Sequence, residues 1–289
     1  MRLHKCAAPY VFISPYYVLF LFFVLYPLLS AFYASFTEWN GIKDPKWIGF
    51  RNYSSLFKDD IFLQSLWNGV IIFFMYVPLL LFLSLVFAVI LNSAFVRLKG
   101  FFRAAYFIPY ITSLVAVGFT FRMLFGTEYG YINELLTSMG LAKTDWLGTI
   151  WGARITLAIL VIWRWLGYNM VIMLAGLQNI PSDLYEAARI DGAGPVQSFF
   201  RITIPMMAPI IMFTSILSTI GTFQLFAEPL VLTRGSGGPE NSIMSVIMYV
   251  YNQSFSYLKF GYASAAAYVF FLLMFVLTLM QIRVFRQEN

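Results

Sequence analysis

The chain has 289 residues, 60% of them apolar and only 11% charged, with a net charge of +6. A mean hydropathy of +0.76 excludes a water-soluble globular domain, because too few charges remain to cover its surface. The single cysteine, Cys6, excludes an intrachain disulfide, and the positive balance calls for no nucleic acid, since basic residues at the ends of membrane helices produce it.

Apolar runs long enough to cross a bilayer, about 20 helical residues each, predict an all-α, polytopic membrane protein with six transmembrane helices. They cover Val11–Ala34, Gly69–Leu91, Ala105–Phe125, Ile155–Leu177, Met207–Pro229 and Ala263–Val284. The organisation reads as an anchor helix and first outer loop over residues 1–64, a core over 65–284 and a tail over 285–289. Cys6 follows Leu3-His4-Lys5, which carries a faint likeness to a lipoprotein site. No apolar stretch precedes it, so it reads as structural. The first span is too long for a cleaved signal peptide and no small-residue cleavage site follows it, so it stays as an anchor. Pro15, Pro27, Pro78 and Pro109 lie inside spans and mark kinks, either hinges or static packing features. Arg122, near the end of the third span, reads as snorkelling to the interface.

The fourth span contains Trp163-Arg164-Trp165-Leu166-Gly167-Tyr168-Asn169. A cation half-way through a span costs about 2.5–3.5 kcal/mol on insertion scales, so Arg164 faces a pathway or a partner. Trp163, Trp165 and Tyr168 offer flat aromatic faces and Asn169 a two-way amide, a mixture suited to the C–H faces and hydroxyl edges of a sugar. The alternative is that Arg164 pairs with an acid on a partner chain while the aromatics pack.

The following loop reads LQNIPSDLYEAARIDGAGPVQSFFRITIPMMAPI. Pro181 and Ser182 start a helix, with Asp183 and Glu186 in its first turn, where the helix dipole favours negative charge. Gly192 and Gly194 stop it, and Pro195 opens a second short helix. Leu184, Ala187 and Ala188 give one small, apolar face, on which another backbone can come close. A short amphipathic helix held outside the bilayer is a docking element.

In the fifth span, Thr214, Ser218 and Thr222 recur every four residues with Ser215 and Thr219 beside them, giving one hydroxylated helical face. Such a face either lines a pathway or packs against another helix. Gln224 lies one turn further along. The outer loop RGSGGPENS, residues 234–242, reads as a flexible turn.

Charge sets the orientation. The short loop Asn92–Ala104 holds Arg97, Lys99 and Arg103 and no acid, which by the positive-inside rule makes it cytoplasmic. Both termini and the EAARIDGAGP loop then face the cytoplasm as well.

The pattern Glu186-Ala187-Ala188, three residues, Gly192, nine residues, Ile202, one residue, Ile204-Pro205 resembles the EAA loop of ABC-importer permease subunits, EAA-x3-G-x9-I-x-L-P. Ile204 in place of Leu is the one departure. RAAYFIPYITS (103–113), IGFRNYSSLF (48–57), TFQLFAEPLVLTRGSGGP (222–239) and Gly261-Tyr262-Ala263-Ser264-Ala265 are similar to the carbohydrate branch. Within that branch they look like the sugar-site-bearing permease of maltose-type importers. The resemblance implies a type I ABC-importer permease fold in a bacterial or archaeal cytoplasmic membrane. Glu186, Ala187, Ala188, Asp191 and Gly192 would couple to an ATPase. Sugar would be gripped by the helices flanking the loop, with Arg164, Trp165, Tyr168, Asn169, Ser218, Thr222 and Gln224 as pathway candidates. Implied partners are a second homologous permease, two cytoplasmic ATPase subunits, an extracytoplasmic solute-binding protein and membrane lipid. In the family such outer loops as 234–242 face the binding protein.

Nothing in the chain suggests chemistry. There is no G-x-x-x-x-G-K-[ST] loop, and one histidine with one cysteine leaves no metal cluster or nucleophilic arrangement. The chain itself would hold no cofactor, and ATP with Mg would be bound by partner subunits. The rival reading is a stand-alone secondary transporter of small polar solutes, which would ordinarily use intramembrane carboxylates. None stands deep in a predicted span, and Glu228 falls near an end. A membrane enzyme is the other rival, weakened by the missing catalytic clusters.

Overall fold

The computed structural model describes the backbone of residues 3–93 and 95–287 and side chains from 10 to 283, with residue 94 omitted. Arg2, the side chain of Cys6 and tail residues 288 and 289 lie outside the described residues. The chain is built almost wholly of helix and divides into two compact units. Among the described residues, five helices are long and apolar enough to cross a membrane, six when one bent pair is taken as a single span.

The first unit comprises residues 1–62 and 249–273. Its leading span joins α1 (Leu3–Phe20) to α2 (Tyr26–Ser35) through a π-helical turn at Leu21–Leu25. Pro27 follows that turn, and a residue without an N–H, whose ring crowds the preceding carbonyls, is a sufficient cause of the wider winding. Two short antiparallel strands, β1 (Thr37–Glu38) and β2 (Lys46–Trp47), and a single helix, α3 (Arg51–Leu56), come next. The Asn52 amide donates to the carbonyls of Ser35 and Thr37, both at 2.9 Å, pinning α3 to the end of α2.

The second unit comprises residues 63–248 and 274–289. Its helices are α4 (Asp60–Asn92), which begins in the first unit, α5 (Lys99–Ile111), α6 (Leu114–Leu124), α7 (Tyr131–Ser138) and α8 (Ile150–Leu177). They are followed by α9 (Ser182–Ile190), α10 (Pro195–Ser198), α11 (Ile204–Phe223), α12 (Ala227–Thr233), α13 (Val246–Tyr251) and α14 (Phe260–Gln287). Of the last two, residues 246–248 of α13 and 274–287 of α14 belong to this unit and the remainder to the first. Leu157, Leu160, Val161, Leu80 and Ile243 form one buried core, and Met170, Met173, Leu174, Met207 and Leu85 a second.

Three expected spans differ in outline, the second because its helix begins at Asp60 rather than Gly69. The third is not one helix: α5 and α6 meet at 91°. Thr112 takes extended backbone angles there, and both its N–H, at 3.1 Å, and its hydroxyl, at 2.8 Å, donate to the Ile108 carbonyl and close the end of α5. Pro109, inside α5, weakens the helix just ahead of it. The fifth ends at Phe223 rather than Pro229, and Gln224 closes α11 before the chain turns into the separate helix α12.

The loop over residues 234–242 is also not the open turn its glycines suggest. Gly235, Gly237 and Gly238 take positive φ, but so do Arg234, Glu240 and Asn241. Side chains hold the backbone in place: Asn68 donates to the carbonyls of Asn241 and Met244, Gln64 to that of Glu240, and buried Arg154 to that of Ser242. Arg154 also donates to the Asn68 Oδ1 at 3.1 Å, so one network fastens the loop to α4 and α8. Arg122 sits in the last turn of α6, where the helix dipole favours a cation.

Candidate functional site

The EAA residues are the fifth to seventh of the nine in α9, so Glu186 lies past the first turn rather than in it. Pro181 precedes the helix, Asp183 lies in its first turn and Arg189 in its last, matching the dipole at both ends. Pro181 makes no side-chain cap bond, and Ser182 is the first helical residue. At the other end Gly192 adopts φ +79°, its N–H donating to the Arg189 carbonyl and the Ala193 N–H to that of Ala188 at 2.8 Å. That pair of bonds is a Schellman stop, which requires a left-handed residue and so favours glycine.

No residue of α9 is buried. Leu184 and Ile190 are exposed, as are Val196 on α10 and Phe200 in the π-helical turn Phe199–Thr203. Glu186, Ala187 and Asp191 are also exposed, and Ala188 is half-buried. The helix is tied to the rest of the unit through Tyr185, whose hydroxyl lies 2.8 Å from that of buried Thr203. Thr203 stands directly before α11. Pro205, the last residue of the motif, lies just past the π turn within the continuous helix Pro195–Phe223, where its missing N–H and its ring, which crowds the preceding carbonyls, are a sufficient cause of the wider winding.

Four of the seven pathway candidates meet in one place. Trp165, Tyr168 and Asn169 on α8 and Ser218 on α11 line a cavity completed by Tyr76, Leu80, Leu217 and Gly221. Its volume of about 30 Å³ is room for roughly one water. Tyr110 of α5 stacks on Tyr168 at 4.7 Å and meets Trp165 edge-on at 5.1 Å, making an aromatic group of three. Gly167 lets α5 approach: a Cβ there would stand 1.8 Å from the Tyr106 carbonyl oxygen. Asn169 spends its Nδ2 on the Trp165 carbonyl.

The other three candidates lie elsewhere. Thr222 is buried, donates to the Ser218 carbonyl and lies 2.7 Å from the Tyr76 hydroxyl. Arg164 pairs with Glu228 of α12 at 2.8 Å, so its counter-charge is in this chain rather than in a partner. Gln224 is exposed at the end of α11. Trp163 packs against Phe121, away from the cavity. The hydroxyl stripe is mostly internal, since Thr214 and Thr219 bond back to their own helix. Only Ser218 of that stripe lines the cavity.

Sequence reasoning missed Tyr76, Tyr110, Gly221 and the role of Glu228. The signal for Tyr76 was a phenol inside an apolar span. Tyr110, a phenol inside the expected third span, carried the same signal, and Gly221 and the pairing of Glu228 have no local sign. A wider cleft of about 690 Å³ lies in the first unit, bordered by Glu38, Arg51, Lys58, Asp59 and Lys259. It contains none of the predicted pathway residues, and its size reflects an open, charged surface.

Residues 54–287 match the family model described as binding-protein-dependent transport system inner membrane component. A lactose transport system permease protein, LacF, from Rhizobium radiobacter is 38% identical over 97% of this chain and 94% of its own length. An arabinooligosaccharides transport system permease protein, AraP, from Bacillus subtilis is 35% identical over 96% of this chain and 88% of its own. The fold is that of a bacterial alginate ABC transporter, solved in complex with an alginate pentasaccharide-bound periplasmic protein. The match has a TM-score of 0.84 at 21% identity, covering 100% of this chain and 98% of that one.

Proposed function

This chain belongs to the family of binding-protein-dependent transport system inner membrane components, and on that premise we propose that it is a permease subunit of an ATP-driven importer for a sugar, oligosaccharide or glycoside. It forms half of the translocation pathway, pairs with a second homologous permease and couples through α9 to one of two cytoplasmic ATPase subunits. An extracytoplasmic binding protein delivers the solute. Both termini and α9 lie on the cytoplasmic face of a bacterial or archaeal cytoplasmic membrane.

The observation that carries this reading is a mechanical line. α9 presents an exposed face with Leu184 and Ala187, and Tyr185 ties it to Thr203 at the foot of α11. α11 in turn carries Ser218 and Gly221 into the cavity against Trp165, Tyr168 and Asn169. An ATPase that seats α9 and moves it on closure therefore pulls on one wall of the solute site. A cavity of about 30 Å³ is too small for a sugar, so solute entry requires α8 and α11 to part, as alternating access demands. Trp165 and Tyr168 supply aromatic faces, and Asn169 and Ser218 supply the hydrogen bonds a hydroxylated solute needs.

The secondary-transporter alternative wants a carboxylate free to titrate within the membrane. Glu228 is buried, yet it is committed to Arg164, which removes the best candidate for that role.

The test is ATPase activity of the importer purified with its genomic neighbours, beside a Glu186→Ala variant. We expect stimulation by binding protein plus sugar in the parent and its loss, or a reduction of about tenfold or more, in the variant. Transport with no ATPase in the complex would overturn the reading.

A further inference from the structure

Family membership leaves the charge of the cargo open: the relatives include a lactose permease, and the matched fold comes from a transporter of alginate, an acidic polysaccharide. Resting on the saccharide reading above, we infer that Glu228 sets the site of this chain for uncharged solutes by neutralising Arg164, the cation that would otherwise hold a solute carboxylate.

The argument begins with the cavity wall. Its lining residues, Tyr76, Leu80, Trp165, Tyr168, Asn169, Leu217, Ser218 and Gly221, carry no formal charge. A carboxylate entering it leaves water and finds hydroxyl and amide dipoles but no cation, and desolvating an unpaired ion costs several kcal/mol even after the protein relaxes, so exclusion is the default. Arg164 is the cation beside that wall. It precedes Trp165 in the helix by one residue, and its guanidinium carbon lies 5.9 Å from the centre of the Trp165 ring. Its side chain is 16% exposed and that of Glu228 6%, so the pair is screened little by solvent.

Nη1 of Arg164 reaches Oε1 of Glu228 at 2.8 Å, while its Nε is buried with no hydrogen-bond partner. The guanidinium thus has its charge balanced, with its buried Nε–H unspent. A solute carboxylate that reached Arg164 would meet a cation already balanced by Glu228, and displacing that partner would leave Glu228 buried and unpaired. A neutral saccharide makes no such demand. Helix placement fits the assignment as well, because α12 brings Glu228 against Arg164 of α8 once the chain has broken at Gln224–Phe226.

The test uses the assembled importer without its binding protein, whose own preference would mask that of the permease. The probes are gluco-, galacto- and manno-pyranosides, each as the neutral methyl glycoside and as its C6 carboxylate, with binding read by tryptophan fluorescence. Wild type should bind at least one neutral member about tenfold or more tightly than its carboxylate counterpart. Glu228→Gln should gain about tenfold for the carboxylate while neutral binding stays within about threefold. The double variant Arg164→Gln with Glu228→Gln removes both charges, avoids an unpaired buried ion and should keep the neutral preference with no gain for carboxylates. If Glu228→Gln fails to fold, wild type and the double variant decide the matter, and equal or tighter carboxylate binding by either overturns the inference. A folded Glu228→Gln with no gain overturns it too. Binding without charge preference removes this inference alone, whereas failure of every probe to bind wild type removes the saccharide reading with it.

Discussion

Asp59 shows how much one carboxylate organises in the first unit. It accepts from the backbone N–H groups of Ile61 and Phe62 at the start of α4, and from the hydroxyls of Tyr249 at 2.6 Å and Tyr262 at 3.0 Å. Burial pushes its pKa up, but the bonds from Tyr249, the Phe62 amide, Tyr262 and the Ile61 amide together outweigh it and hold the carboxyl below its usual value. A carboxyl whose folded pKa is depressed stabilises the fold fully above its unfolded value, near 3.9, and loses that contribution as pH falls through the folded value. Melting temperature should therefore fall below about pH 4 in wild type, and Asp59→Asn should start lower at neutral pH and lack that component of the fall. Parallel melting curves against pH for the two proteins would refute the assignment. Asp59 was legible in the sequence only as a charge in an outer loop, because its tyrosine partners stand about 190 and 203 positions away.

Among the elements, the contact between α5 and α8 is the most exacting. Gly167 touches the Tyr106 carbonyl so closely that even a methyl group does not fit, as small residues at membrane helix interfaces permit. Gly167→Ala should push α5 away, costing about 1–3 kcal/mol as overpacked cores do. It should also separate Tyr110 from Tyr168, giving a lower melting temperature and altered Trp165 fluorescence. An unchanged melting temperature would mean that the interface yields freely. The short loop elements were the most readable part of the chain. Pro181, Gly192 and Pro195 dictate backbone angles directly, so the bounds of α9 and the start of α10 could be read nearly to the residue, whereas α10 runs on through the π turn into α11 instead of ending as a short helix. Hydropathy read the long helices but not their interruptions. Leu225, Phe226 and Ala227 continue the apolar run past Phe223, hiding the end of α11, and the break at Thr112 follows Pro109 by three residues. The start of α4 was missed for the opposite reason: Gln64 and Asn68 look like loop residues until their partners at 240, 241 and 244 are seen.

On the scale of the whole chain, the sequence located the helices of the cavity and four of its lining residues, because aromatics and hydroxyls inside apolar spans are conspicuous. It could not show which of them converge, since convergence depends on helix rotation, nor that Arg164 and Glu228 meet across 64 positions. That separation has a consequence for how the protein is made. When the fourth span leaves the ribosome its arginine has no counter-ion, and the segment holding Glu228 is still to be translated. At about 5–20 residues per second, the wait is roughly 3 to 13 s. During it the helix must stay inserted against a cost of about 2.5–3.5 kcal/mol, which its mean hydropathy of 1.7 offsets. Nascent chains stopped before residue 228 should consequently be degraded by membrane proteases faster than chains stopped after α12, and Arg164→Leu should erase the difference. The ion pair is thus also a checkpoint in biosynthesis, closing only when enough of the molecule exists to need it.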